Sequence, residues 1–216
     1  MNKVFQSVLL VLFIALNTIL LYLFLLQLPY GVNAFVSSLT HWSELSPRID
    51  TVATVALAIA VITFLLTQRL PASWKSGLLY FRRRFAHPGH RAFFGGKDPG
   101  FEREPLLKAY PEIHDSAYNP EVQMQVWKRL YQQNANAVLV ASTAGSWRFL
   151  RNLYLVSLVF LSSFLVTWPL NLGVPIALAM MYLFIYGAQA IFLLFSARKT
   201  GERLANNVMA TALGVK

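Results

Sequence analysis

The sequence has no cysteine and little charge. Of its 216 residues, only 13% are charged and 56% are hydrophobic. A soluble domain usually carries about a quarter charged residues, so much of this chain is expected to lie in lipid or to pack within a helical bundle. The absence of cysteine excludes disulfides, zinc–thiolate sites and iron–sulfur clusters.

Charge is missing altogether from three long stretches. Residues 4–28 and 51–68 contain none, and the run 152–197 contains none over 46 residues. At about 1.5 Å per residue, each of the first two predicts one span of the ~30 Å hydrocarbon layer. The third run is too long for one span, and its two prolines and glycine near 168–175 predict a tight turn. We therefore predict an all-α membrane protein with four transmembrane helices, in two pairs, at about 4–28, 51–68, 152–168 and 175–195.

The chain between the two pairs of spans is polar and basic. Residues 69–151 are expected to form a mainly helical segment between the N-terminal pair (1–68) and the C-terminal hairpin (152–197), and 198–216 form a basic tail. Every basic residue except Arg48 lies at the N-terminus, in this segment or in the tail. Because positive charge stays inside, both termini and the segment are predicted to be cytoplasmic in a multi-pass protein.

The clearest helix signal in the basic segment begins at Asn119-Pro120-Glu121. Asparagine is a good N-cap, proline is preferred at the first helical position, and a glutamate there complements the helix dipole. A stripe through Val126 and Leu130 predicts a broad apolar face that must be buried. Residues 131–147 are uncharged but polar, so they could form either a soluble helix or a membrane-associated one, and both interpretations stay open. Gly145 is expected to break the helix before the third span.

Positive charge is most concentrated in residues 74–91, where three consecutive arginines lie among aromatic and aliphatic residues. Such a segment is typical of the headgroup zone, where each basic residue adds about 1 kcal/mol of attraction to anionic lipid. Arginines also suit bidentate contact with the phosphate of a nucleotide, an RNA or a phosphorylated signal, so both interpretations stay open. The candidate contacts with lipid, phosphate or a protein partner are Lys75, Arg82, Arg83, Arg84 and Arg91.

No catalytic, metal or cofactor site is predicted. His87-Pro88-Gly89-His90 resembles a metal-binding pair, but Pro-Gly predicts a turn and no further ligand precedes Asp98. Gly95-Gly96-Lys97-Asp98 lacks the earlier glycine and the following Ser or Thr of a phosphate-binding loop. The spans contain none of the ionisable residues that many ion-coupled carriers place there. We therefore expect a protein that is not an enzyme.

Three polar side chains lie deep in the predicted spans. Asn17 and Thr18 fall near the middle of the first span, and Gln189 lies in the fourth. Amides at this depth usually hydrogen-bond a neighbouring helix. They indicate either a packed face within one subunit or the polar lining of a pore. A pore would require several copies of the chain, because four spans enclose no wide conduit.

The arrangement of two spans, a basic insert and a two-span hairpin resembles the small four-span membrane proteins encoded beside bacterial antiphage systems. These include accessory membrane proteins of RNA-targeting CRISPR systems and of deaminase-based defence operons. Besides the architecture, four short motifs carry the resemblance: Arg69-Leu70-Pro71, His87-Pro88-Gly89-His90-Arg91-Ala92-Phe93, Lys97-Asp98-Pro99 and Gln125-Val126-Trp127-Lys128-Arg129-Leu130-Tyr131.

The resemblance implies an oligomeric component of the bacterial inner membrane. It would act with a cytosolic protein and would damage or depolarise the membrane on infection, in one version by forming a pore. It implies no catalytic residue. A second hypothesis is a scaffold that forms no pore and recruits a cytosolic partner through the basic segment. A third hypothesis, a lipid-modifying enzyme, lacks a nucleophile or an acid–base pair.

Overall fold

The computed structural model describes residues 3–28, 36, 42–93, 104–171 and 173–214. Within these ranges it is helical and contains no strand, as predicted. The motif Lys97-Asp98-Pro99 and the neighbouring Gly95-Gly96 lie outside the described residues. A 3₁₀ turn spans Pro88–Arg91, and the helices are α1 (Lys3–Leu25), α2 (Trp42–Arg69), α3 (Ala72–Tyr80), α4 (Glu104–Ala109), α5 (Glu112–Asp115), α6 (Pro120–Asn134), α7 (Val138–Leu170) and α8 (Ile176–Ala212).

Four of these helices are long and apolar enough to cross a membrane. They are Val4–Leu25, Arg48–Arg69, Val138–Leu170 and Ile176–Ala212. A helix satisfies its backbone hydrogen bonds internally, which is what a segment in hydrocarbon requires. Over the described residues, the prediction of an all-helical fold with four helices able to span a membrane is therefore confirmed.

The helices extend past the charge-free stretches that predicted them. α2 begins at Trp42, ahead of residue 51, and α7 begins at Val138, ahead of residue 152. α8 continues to Ala212. Charge marks where a span leaves the hydrocarbon, but it does not end a helix, because Lys, Arg and Glu are good helix formers. The break before α7 falls at residues 135–137, whereas Gly145 lies inside the helix.

The chain divides into two compact units. The membrane unit comprises Asn2–Leu70 and Asn152–Leu193 and contains most of the apolar helix length. The insert–tail unit comprises Pro71–Arg151 and Leu194–Lys216. The tail is distant from the insert along the chain, yet it folds into the same unit.

In the membrane unit, polar side chains donate hydrogen bonds to backbone carbonyls at the C-terminal end of α1. The ring of Phe24 lies 5.4 Å from that of Tyr182, whose hydroxyl donates to the carbonyl of Leu28 at 2.7 Å. The side-chain amide of Asn171 donates to the carbonyl of Leu25 at 3.2 Å. These bonds occupy carbonyls at and just beyond the end of α1 that have no partner within the helix.

The insert–tail unit has its own hydrophobic core. The predicted apolar face of α6 is buried there through Val126, Trp127 and Leu130. The last turns of α8 contribute Leu204 and Val208 to the same cluster. The insert therefore completes its core with side chains from the C-terminal turns of α8.

α6 begins where the sequence predicts, and one of its polar residues is part of the core. The side chain of Asn119 accepts a hydrogen bond from the N–H of Glu121 at 2.9 Å. Gln123 lies outside the predicted apolar stripe but is buried. It accepts from the N–H of Phe93 at 3.1 Å and donates to the carbonyl of Tyr118 at 2.6 Å. This one amide ties two stretches of backbone to α6.

Candidate functional site

The arginine-rich part of the predicted site follows a left-handed turn at the end of α3. Phe81 adopts φ 52° and ψ 41°, and the N–H of Arg82 bonds back to the carbonyl of Gly77 at 3.0 Å. A residue in this left-handed backbone conformation commonly ends an α-helix. A Cβ on Gly77 would lie 2.9 Å from the carbonyl oxygen of Arg82, so the close approach favours glycine. The residues that follow form an exposed arginine run, namely Arg82, Arg83 and Arg84.

Large apolar side chains are exposed beside the arginine run. Trp74 is 67% exposed and Phe81 is 70% exposed, with Leu78 between them also exposed. Trp74 and Leu78, four residues apart in α3, lie on one face of the helix. Apolar side chains beside cations are typical of a segment at a membrane interface. We call this set, Trp74, Leu78, Phe81 and the arginine run, the α3 surface.

The structure separates Lys75 from the arginine run. The Lys75 side chain is buried, and burial together with the nearby Arg151 lowers its pKa. Arg91 is exposed in the 3₁₀ turn. Of the five predicted contacts, the arginine run and Arg91 are accessible to a ligand, whereas Lys75 faces the interior of the unit.

The His-Pro-Gly-His segment forms a tightly packed turn. His87 Nδ1 accepts from the N–H of Gly89 at 3.0 Å, and the His87 ring lies 4.8 Å from that of Trp127 and 5.0 Å from that of Trp147. A Cβ on Gly89 would come within 2.8 Å of Trp127, so the turn needs glycine there. Burial lowers the pKa of His87 to about 4, which keeps its ring neutral near pH 7. His87 therefore acts as a packed aromatic ring within the core.

The intramembrane polar residues meet inside the membrane unit. The side-chain amide of Gln189 donates to Asn17 Oδ1 at 2.9 Å, and the Tyr186 hydroxyl donates to the Asn17 carbonyl at 3.2 Å. Asn17 is fully buried. The Thr18 hydroxyl donates within its own helix, to the carbonyl of Ile14 at 2.8 Å. Of the two interpretations left open by the sequence, this geometry favours packing within one subunit.

Two cations outside the predicted site also pack against α3. The guanidinium of Arg198 lies 4.9 Å from the centre of the Phe81 ring, and its Nε donates to the carbonyl of Leu79 at 2.8 Å. Arg151 donates to the Ser76 hydroxyl at 3.0 Å. The sequence contains one signal for this pair, because they flank the charge-free run 152–197 on either side. Their contacts with α3 depend on the tertiary fold and could not be predicted from that signal.

These features define a class, an all-helical membrane protein with four candidate spans and a folded basic insert–tail unit. No protein-family model, curated protein or solved structure matches the chain.

Proposed function

We propose that this protein is a membrane-anchored scaffold or accessory subunit that recruits a cytosolic protein to a bacterial inner membrane. Four spans anchor it, and the insert–tail unit and both termini are cytoplasmic. The observation that carries the proposal is the arginine run, three consecutive exposed cations that follow the left-handed turn after α3. A role in antiphage defence is proposed from the resemblance in architecture and motifs.

The charge balance of the chain supports an acidic partner. In the described part of the chain, Arg129 pairs with Glu112 at 3.2 Å and Lys108 pairs with Glu104 at 2.8 Å, but no carboxylate pairs with the arginine run. The whole chain has 19 Lys and Arg against 9 Asp and Glu, a formal net charge of +10. Such an excess attracts anionic surfaces over a distance and raises the rate of encounter with them.

The apolar part of the α3 surface supports a second contact, with the bilayer. Trp74, Leu78 and Phe81 are large and exposed, and α3 starts three residues after the end of the α2 span. Aromatic side chains at that position favour the headgroup zone. We propose that they hold α3 at the anionic membrane surface while the arginine run engages the partner.

Charge reversal of the arginine run tests this function. The variant carries Arg82→Glu, Arg83→Glu and Arg84→Glu, and proteins encoded by adjacent genes are co-expressed with the tagged chain. We expect insertion to be unchanged and the co-purified, membrane-recruited partner to be lost. Recruitment that persists in this variant would overturn the proposal. Recruitment that disappears on ribonuclease treatment would show that the partner is a nucleic acid and not a protein.

A matched control keeps the change in net charge and alters its position. Lys128, Lys199 and Arg203 are also exposed cations, and Glu at these three positions reverses the same number of charges. Recruitment should survive in this control. Its loss there as well would show that net charge decides recruitment, and not the arginine run.

A homo-oligomeric pore is the second candidate function, and the exposure of α2 supports it. Only 11% of the residues in the apolar stretch of α2 are buried, which leaves an apolar face for lipid or another copy of the chain. Because the chain has no cysteine, Val61→Cys gives a single thiol on the exposed face. Oligomers should form a crosslink there, whereas Ala56→Cys, buried in the same helix, should not.

Membrane potential separates the pore from other oligomers. Cells that express the chain with its partner should lose a potential-sensitive dye signal if the oligomer conducts ions. An unchanged potential despite crosslinking at Val61→Cys would exclude the pore while leaving the oligomer in place.

A further inference from the structure

The arginine run lies between two phenylalanines with left-handed backbones. Phe81 has a φ of 52° and Phe85 has a φ of 55°. A positive φ is rare for a bulky side chain, because its Cβ crowds the following carbonyl oxygen. Such residues persist only where surrounding contacts hold them, and they cluster at ligand clamps and switch regions. The contacts of these two flanking residues therefore decide how the arginine run is presented.

The tail holds the first of these two residues. Arg198, which lies with α3 in the insert–tail unit, places its guanidinium 4.9 Å from the centre of the Phe81 ring. Its Nε donates to the carbonyl of Leu79, in the last turn of α3, at 2.8 Å. The last carbonyls of a helix have no partner within it, and a cation there also complements the helix dipole. One side chain from the tail therefore contacts both the end of α3 and the left-handed residue that follows it.

α3 is a short helix with few buried side chains. It has nine residues, and those that are buried are Lys75, Ser76 and Leu79. A helix of this length is marginal without tertiary contacts. Toward its start, Arg151 donates to the carbonyl of Ala72 at 3.4 Å, so a second arginine holds the other end. Loss of Arg198 should therefore loosen the C-terminal end of α3 and the turn at Phe81, and leave the core of the unit in place.

We propose that Arg198 is a positioning residue, which fixes the left-handed turn at Phe81 and thereby the direction in which the arginine run meets its acidic partner. This inference rests on the proposed function of the run. An apparent affinity falls with the fraction of chains whose binding segment is in the competent conformation. A loosened turn therefore weakens recruitment although all three arginines of the run are still present. In this way the tail sets how well the insert binds.

Trypsin cleavage of the purified full-length chain in detergent measures the order of the turn. Trypsin cuts after arginine and lysine, so the arginine run is its own reporter, and the cleavage rate follows how often the segment opens. Lys128 and Arg129, inside α6, report opening of the whole unit. In Arg198→Gln, cleavage within the run should accelerate about tenfold, since a hydrogen bond from a charged group is lost. Cleavage in α6 and the unfolding temperature should change little.

Three further variants separate position from charge and from folding. Lys199→Gln removes the same charge at the neighbouring exposed residue, so cleavage and recruitment should stay as in the wild type. Arg198→Lys keeps a cation and a donor near Phe81 and Leu79, so it should restore part of the protection. Phe81→Leu removes the ring beside the guanidinium and keeps the hydrogen bond to Leu79, so it should also accelerate cleavage. This last variant carries the test if Arg198→Gln does not fold.

Recruitment is followed by the same co-purification with proteins encoded by adjacent genes, and in Arg198→Gln it should weaken by up to the same factor of about ten. Cleavage of the run that stays unchanged, or that accelerates equally in Lys199→Gln, overturns the proposal. Equal acceleration in α6 also overturns it, because Arg198 would then support the whole fold. Faster cleavage of the run with undiminished recruitment overturns it as well. Failure of the proposed function appears separately, as recruitment that persists when the run itself is reversed in charge.

Discussion

Replacing Asn17 by leucine removes the acceptor of the Gln189 side-chain amide, which lies 2.9 Å away. The amide donor is then left without this partner within the membrane unit. Interhelical hydrogen bonds in membrane proteins average about 0.6 kcal/mol and reach about 1.7 kcal/mol, so Asn17→Leu and Gln189→Leu should each cost an amount in this range.

The double variant should cost less than the sum of the two single changes. When both partners of a buried hydrogen bond become apolar, no group is left unsatisfied, and the change can be nearly neutral. We therefore expect a coupling free energy of about 0.6–1.7 kcal/mol between the two positions. Reversible unfolding of the four proteins in mixed detergent and lipid measures it.

Thr18→Val is the control for this cycle. The Thr18 hydroxyl donates to the carbonyl of Ile14 in its own helix, so its removal should show no coupling to Gln189. Strictly additive costs for Asn17→Leu and Gln189→Leu would refute the contact. Additive costs together with altered ion conductance in Asn17→Leu would instead support a pore lining.

Three further predictions concern backbone packing, pH and topology. Gly77→Ala should lower the unfolding free energy by about 1–3 kcal/mol, because its Cβ would lie 2.9 Å from a carbonyl oxygen. Gly187→Ala is the control and should not show this overpacking cost, because a Cβ there would have no atom within 4 Å. Because the pKa of His87 falls from 6.5 unfolded to about 4 folded, the unfolded chain binds more protons, and stability should be lost as pH falls from about 6.5 to about 4. Urea unfolding across that range measures the slope, and a slope unchanged by His87→Gln would contradict the assignment. In the cysteine-free chain, Ser37→Cys should react with an impermeant maleimide in whole cells and Lys128→Cys only after lysis, and the reverse pattern would invert the proposed topology.

The features that could be predicted from the sequence are local. A charge-free stretch long enough to cross hydrocarbon identifies a span by itself, and four such helices are present. The start of α6 follows from a cap at Asn119 and the residues directly after it. Each signal lies within a few turns of one helix, so no knowledge of the tertiary fold is required.

The features that could not be predicted depend on which side of a helix meets another element. Lys75 belongs to a basic stretch by sequence, but it is buried while the arginine run is exposed. Gln123 is polar yet buried, because the backbone of Phe93 and Tyr118 supplies its hydrogen bonds. The burial of Arg151, which donates to the Ser76 hydroxyl of α3, is likewise a property of the packed unit. These features depend on tertiary contacts, which the periodicity of a single helix does not reveal.

The core of the insert–tail unit imposes an order on biosynthesis. Val126 and Leu130 emerge from the ribosome before α7, whereas Leu204 and Val208 of the same core emerge near the end of α8. Until then the apolar face of α6 lacks part of its cover and is a target for chaperones. A C-terminal hairpin that failed to cross and return would leave the tail on the opposite side of the membrane. On the proposed topology, a chain whose C-terminal hairpin crossed the membrane only once could therefore not close this core.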